Sequence, residues 1–272
     1  MTPIGRWAWM ACLLALGLLS AGARAQVAGA APPPWGEPVT ITLHEYPPLM
    51  SEELAGKGLL SQIVTEAFAV AGVTVKLVTV STNRAIEGPR AGLYTGSMGW
   101  ARNPDRERDL YFSDPVMLLR MVFCQLRVRQ FSWLSLDDLS ERRLGITAGN
   151  YYSEGFSQLQ AAGRLNVDVA GSDVANLRKL LVRRIDMLPI GSDTAEYLMD
   201  RNLTAEEHAQ ITCGGRAYWN APVHVVISRK VPRGEELLQR FNRGLGVLRA
   251  TGAIERMAAD AHMSYFAPDI EP

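Results

Sequence analysis

With 272 residues and 47% hydrophobic side chains, the chain is long enough for one large domain or two modest ones, with ample material for a core. Its 28 basic and 28 acidic residues balance to zero net charge, which gives no electrostatic reason to expect a nucleic-acid partner. The four histidines (His44, His208, His224 and His262) show none of the short spacings of a zinc site, and neither G-x-S-x-G nor a phosphate-binding glycine loop occurs. No metal or cofactor is therefore expected.

Residues 1–25 read as a cleavable secretory signal peptide, which places the protein in the periplasm. Arg6 supplies the positive start, Ala11 to Leu19 the apolar run, and Ala23-Arg24-Ala25 the cleavage site. The run is too short to span a bilayer. Cys12 stands near its start rather than after it, which argues against lipidation. The exported chain then begins at Gln26 and, having lost Arg6 and Arg24, carries 26 basic against 28 acidic residues, a net charge of −2. It keeps Cys124 and Cys213. An even pair in an oxidising compartment invites a disulfide, although two buried free thiols fit the sequence equally well.

Residues 26–36, with Pro32-Pro33-Pro34, read as a linker. Val39 to Leu43 alternates as a strand and runs into Glu45-Tyr46-Pro47-Pro48-Leu49. Leu60, Ile63, Val64, Ala67, Phe68 and Ala71 fall at helical spacing and Gly72 stops that helix. A strand over Val73 to Leu77, a helix over Thr82 to Ala91 and a strand ending at Trp100 follow. This strand–helix alternation is the grammar of a parallel sheet with helices on its faces, in which ligands sit at the carboxyl ends of the strands. Tyr46 and Trp100 lie at or just past such ends.

Gly99 to Pro115 joins that strand to a turn at Asn103-Pro104, with Arg102, Arg106 and Arg108 clustered around it and Phe112-Ser113-Asp114-Pro115 closing it. On residue types alone this is a solvated charged loop. An arginine beside a ligand-facing strand end is also suited to hold a carboxylate, through its planar fork of donors.

After Pro115 the pattern restarts. Strands are expected over Met121–Val128, Leu144–Thr147, Val167–Ala170 and Ile185–Pro189. Helices are expected over Leu136–Leu139, from Tyr152 to near Gly163, after Ser172 as its cap, and through Tyr197 and Leu198. A last strand over Val223–Ser228 precedes helices over Gly234–Arg249 and Ile254–Phe266. The simplest arrangement inserts the second α/β unit into the first, giving two lobes and a cleft.

Asn103-Pro104-Asp105-Arg106 with Phe112-Ser113-Asp114-Pro115 resembles the T-P-E-R-x-x-x-x-x-F-S-x-P signature of the family 3 periplasmic solute-binding proteins of ABC transporters, and the wider pattern is similar across the whole exported chain. The resemblance implies a two-lobed α/β fold of type II, each lobe a mixed sheet flanked by helices, with a ligand cleft between them. One lobe would comprise 37–119 and 223–272 and the other 120–222, with crossing strands near Met117–Met121 and Trp219–Val223. It implies that Arg106 holds a ligand carboxylate, that Tyr46 of Tyr46-Pro47-Pro48-Leu49 packs on the ligand, and that Gly149-Asn150-Tyr151 forms a turn at a helix N-terminus. Such a turn offers backbone N–H groups to an anion.

Departures narrow the ligand. Amino-acid binders usually place an Asp five residues after the R-x-D strand, here Arg184-Ile185-Asp186, to take the ligand ammonium, and that position is Gly191, with Asp193 two further on. Positions often Ser or Thr before the arginine are Gly99 and Ala101, with Trp100 between. The expected ligand-binding set is Tyr46, Trp100, Arg106, Asn150 and Tyr151, suited to a small organic acid or an aromatic or modified amino acid. Structural alternatives stand beside it: Tyr46 and Trp100 as core aromatics, Arg106 as a salt-bridge partner of Asp109 or Asp114, and Asn150 as a helix cap.

The function implied is a monomeric binding protein, not an enzyme, that closes on a solute and hands it to an inner-membrane ABC permease. A dehydratase-like exported enzyme on the same fold would need Glu45 or Asp193 as its acid or base. A third possibility is a ligand-sensing partner of a membrane receptor. Fold alone does not choose among them.

Overall fold

The computed structural model describes residues 35–263 and 265–268, so the expected signal peptide and most of the expected linker lie outside the described residues. Trp35, at the end of that linker, packs on the first core and lies beneath the guanidinium groups of Arg233 and Arg240, at 4.4 and 5.4 Å from the ring centroid. The folded unit therefore takes in the last linker residues. Among the described residues no helix is long and apolar enough to cross a membrane.

The first half runs β1 (Val39–Leu43), α1 (Leu59–Val70), β2 (Val75–Thr79), α2 (Thr82–Ala91), β3 (Gly96–Trp100), α3 (Pro104–Glu107) and β4 (Leu110–Phe112). The long strand β5 (Met117–Leu126) leads to β6 (Arg143–Thr147), α4 (Glu154–Ala161), β7 (Asn166–Ala170), α5 (Asp173–Leu181), β8 (Leu188–Gly191), α6 (Ser192–Asn202), α7 (Ala205–Gln210) and β9 (Ile211–Cys213). The return strand β10 (Trp219–Ser228) is followed by α8 (Gly234–Ala250) and α9 (Ala253–Asp260). The sheet order β2-β1-β3-β10-β5-β8, with β4 on β10 and β9 on β5, is mixed: β1 is parallel to β2 and β3, while β10 and β5 run antiparallel to their neighbours. A parallel β6–β7 pair joins through a bridge from Leu144 to Met187.

Two ten-residue strands carry the chain between the lobes. Met117 to Met121 of β5 pairs residue for residue with Val223 to Trp219 of β10, the segments in which crossings are expected. Beyond that ladder the strands part. The far half of β10 pairs with β3 and β4, and the far half of β5 with β8 and β9. Cores lie to each side: Ile41, Ile63, Phe68, Met98 and Phe241 in one, and Phe123, Leu144 and Phe156, with Leu177 and Ile190 beside them, in the other. Helix α8 crosses α1 so closely that a Cβ on Gly244 would lie 1.9 Å from the Ala67 carbonyl oxygen, which requires glycine there.

Several elements go beyond or differ from the sequence reading. The turn at Asn103-Pro104 is a short helix capped by Asn103, and β4, α7 and β9 have too few residues for a periodic signal. Strand β10 starts four residues before Val223, across Asn220 and Pro222, which break the alternation. The last helix ends at Asp260 rather than Phe266: His262 adopts a left-handed backbone and Phe266 instead accepts a hydrogen bond from the Leu118 N–H. Cys124 and Cys213 are registered opposite one another across β5 and β9 and form a disulfide.

Candidate functional site

The carboxyl ends of β1 and β3 and the crossing strands meet the Gly149–Tyr152 turn around a cleft of about 540 Å³, its mouth included. All five expected residues, Tyr46, Trp100, Arg106, Asn150 and Tyr151, line it. Periodicity alone brings none of them together.

Trp100 is aimed by a bulge. Val225 pairs with Met98 and His224 with Trp100, so Gly99 is an extra residue in β3, at φ +83°, a left-handed value that favours glycine. A Cβ there would stand 2.5 Å from Met50 Cε. The indole is buried, and its Nε1–H donates to Ser97 Oγ at 2.7 Å, which itself donates to the Thr42 carbonyl.

Arg106 is delivered by α3, where Pro104 occupies the first turn and Asn103 Oδ1 accepts from the Arg106 N–H at 2.8 Å. Its side chain folds back beneath the end of β3. Nη1 donates to the Ala101 carbonyl at 2.9 Å, and the guanidinium lies 4.8 Å from the Trp100 ring centroid and 5.8 Å from that of Tyr151. Arg106 is 9% exposed, and burial pulls its pKa down to about 10, which leaves it a cation at neutral pH. Among the described residues it has no carboxylate partner: Asp109 pairs instead with Arg90. A buried cation without a counter-ion is costly unless an anion arrives. The second half of the signature is structural, since Ser113 exchanges hydrogen bonds with Val225 and its carbonyl contacts His224 Nδ1 at 2.7 Å.

Asn150 does not cap a helix. Ser153 caps α4, its Oγ accepting from the Phe156 N–H, and the Asn150 N–H already donates to the Thr147 carbonyl. The turn therefore stands one step short of the helix N-terminus, and the Asn150 backbone donor is spent. Tyr151 donates to Glu154 and packs edge-on to Trp219, and burial, then Glu154, pushes its phenol up to about 12.

Tyr46 reaches across the cleft. A Cβ on Gly191 would lie 3.0 Å from its hydroxyl, so the phenol stands against the position where the resemblance would place an ammonium-binding acid, and burial pushes its pKa well up. A second chamber of about 780 Å³, mouth included, shares His44, Tyr46 and Asn150 with the first and adds Thr147, Asp173 and Thr194. Asp173 accepts from Thr147, and burial holds its carboxyl above the usual range. The His44 ring packs tilted against Trp100, 4.9 Å between centroids, with Nδ1 buried and without a partner among the described residues. Burial, then the Arg106 charge, lowers it to about 4, so it is neutral.

Sequence reasoning missed His44, Asp173 and Trp219. His44 lies two residues from Tyr46 at the same strand end, which was a usable signal; the other two are brought in by α5 and β10 and gave none. Glu45 is exposed and accepts from the Glu52 N–H, while Asp193 is half-buried near Arg120.

No protein-family model and no curated protein matches the chain. Solved structures do. A histidine kinase sensor domain with similarity to periplasmic binding proteins superimposes with a TM-score of 0.72 at 19% identity, over 85% of this chain and 98% of that one. The ligand-binding core of GluR0 from Nostoc punctiforme, in complex with L-glutamate, gives 0.66 at 15% identity over 82% and 98%. An arginine 3rd transport system periplasmic binding protein from Legionella pneumophila gives 0.66 at 16% identity over 82% and 98%. The chain has the periplasmic-binding-protein fold.

Proposed function

We propose that this protein is a periplasmic solute-binding protein whose cleft closes on a small organic acid, or an aromatic or modified amino acid, and delivers it to an ABC permease. Residues 37–119 with 223–272 form one lobe and 120–222 the other, and β5 and β10 are the hinge. The observation that carries the reading is the buried, unpaired Arg106 guanidinium facing an aromatic-walled cleft. The ligand carboxylate takes the free edge of Arg106, and Trp100, Tyr151 and Tyr46 cover its body. Asn150 and the Asp173 chamber meet its polar end. The structural neighbours described above are binding and sensing proteins, which supports binding rather than turnover.

A thermal-shift screen of the exported protein against carboxylic acids, amino acids and amines tests this. A ligand at a hundredfold its dissociation constant stabilises the fold by about 2.7 kcal/mol. Arg106→Ala should weaken the best acid by about 1.5–3 kcal/mol, ten- to a hundredfold. A hit unaffected by that change removes Arg106 from the site.

The likeness to a histidine kinase sensor domain favours a second reading, a cleft that reports its ligand to a membrane receptor. Ligand binding in vitro, together with unimpaired uptake in a deletion strain, would select it over transport.

A further inference from the structure

A second concave site lies at the opposite end of the inserted lobe. The cleft is met by the Thr147 end of β6, the Asp173 end of α5 and the Gly191 end of β8. At the other ends of α5 and β8, beside the carboxyl end of β5, Leu126, Leu180, Ile185 and Met187 form the buried floor of a pocket of about 400 Å³, mouth included, that shares no lining residue with the cleft. Its rim holds Arg129, Arg142 and Arg183.

The three arginines have no ion-pair partner among the described residues. One acid lines the pocket, Asp186, and it is already engaged. Arg143 donates to its Oδ2 from the backbone N–H and from Nε, and to its Oδ1 from Nη2, and this holds the carboxyl below its usual range. Asp186 and Arg143 thus neutralise one another and leave three cations around an apolar floor. Arg142 lies with its guanidinium carbon 4.0 Å from the Phe131 ring centroid, and its Nε is buried without an acceptor among the described residues. Arg183 follows the end of α5 in a left-handed conformation, φ +60°, where glycine is strained least. Its carbonyl is held by Arg143 Nη2, so the pair that neutralises Asp186 also sets the rim. Val128 and Val182, next in sequence to two rim arginines, are 79% and 75% exposed.

We propose that the Arg129–Arg142–Arg183 pocket binds a phosphate-type oxyanion carrying an apolar substituent, independently of the cleft. Three forked cations suit a polyvalent, multidentate anion better than a single carboxylate, and the Leu–Ile–Met floor takes the apolar part. Two sources share that chemistry, a soluble organic phosphate and the headgroup of an anionic phospholipid.

The test is titration calorimetry of the exported protein with inorganic phosphate and with phenyl phosphate, in an Arg106→Ala background so that the cleft arginine contributes nothing. Saturable binding is expected, tighter for phenyl phosphate. It should weaken about tenfold for each of Arg142→Gln, Arg129→Gln and Arg183→Gln, and the Arg142 Nε–H resonance should shift on binding. Arg129 and Arg183 are exposed, so the variants at these two positions keep the test open even if Arg142→Gln fails to fold. Sedimentation with phosphatidylglycerol but not phosphatidylcholine vesicles, lost in Arg129→Gln/Arg183→Gln, assigns the lipid source; phenyl phosphate binding without sedimentation assigns the soluble one. Absence of binding in the Arg106→Ala background, or binding indifferent to all three rim changes, overturns the proposal.

Discussion

At Gly99 a single residue decides which way one of the cleft's two indoles points. The left-handed bulge inserts one residue into β3 opposite the His224–Val225 step and turns Trp100 towards Arg106. Substituting alanine places a Cβ against Met50 and forces a left-handed L-residue, at a cost of about 1–2 kcal/mol. Chemical denaturation of Gly99→Ala should show that loss, and the intrinsic fluorescence should change as the Trp100–Ser97 hydrogen bond is disturbed. Stability equal to wild type would mean that the bulge tolerates a side chain and does not hold Trp100. Arg106 illustrates the same scale from the charged side. Motif resemblance picked it from three neighbouring arginines, and the structure separates them physically: Arg102 pairs with Glu107 and Arg108 with Asp105, whereas Arg106 is buried among rings.

Among the elements, β5 and β10 matter most, because each serves two cores. Their shared ladder is five residues long, and beyond it β10 pairs with β3 and β4 and β5 with β8 and β9, so in the proposed closure a change of twist along that ladder would reorient one lobe against the other. The disulfide fixes the lobe end of β5 to β9 across 89 residues of chain and leaves the crossing ladder free. Closing a loop of that size restricts the unfolded chain, and the Cys124→Ser/Cys213→Ser variant is expected to lose about 2–4 kcal/mol, read as a lower urea midpoint. Reductant should lower the wild-type midpoint and leave the variant unchanged; a wild type indifferent to reductant under unfolding conditions contradicts the assignment. The pairing itself could not be read from spacing, since β9 has three residues and its register on β5 is a tertiary fact.

For the whole molecule, the cleft leaves a signature in how stability depends on pH. The folded state keeps His44 neutral down to about 4, whereas an unperturbed histidine protonates near 6.5. Between those values the unfolded chain binds the extra proton, so stability falls as pH drops through the window, by up to about 3 kcal/mol from this residue. His224, also lowered by burial, acts in the same direction, while the raised Asp173 and Asp193 carboxyls act in the opposite one. The measurement is therefore a difference: melting temperatures from pH 7 to pH 4 for wild type and His44→Gln, with the variant expected to fall less steeply. Parallel curves would mean that His44 is already open to water and protons in the folded state.

The sequence by itself determined the alternation of strands and helices and the residues in its motifs, because hydrophobic period, caps and glycine stops act over a few neighbouring positions. Helix α2, the end of β3 at Trp100 and the Ser172 cap are legible on that local physics alone. The tertiary structure decided what depends on residues far apart meeting: the Gly99 bulge against β10, the Cys124–Cys213 register, the Tyr46 hydroxyl over Gly191, and the gathering of His44, Asp173 and Trp219 around the buried charge of Arg106. Burial is a property of the assembled fold, and it makes His44 neutral and leaves Arg106 without a carboxylate partner among the described residues.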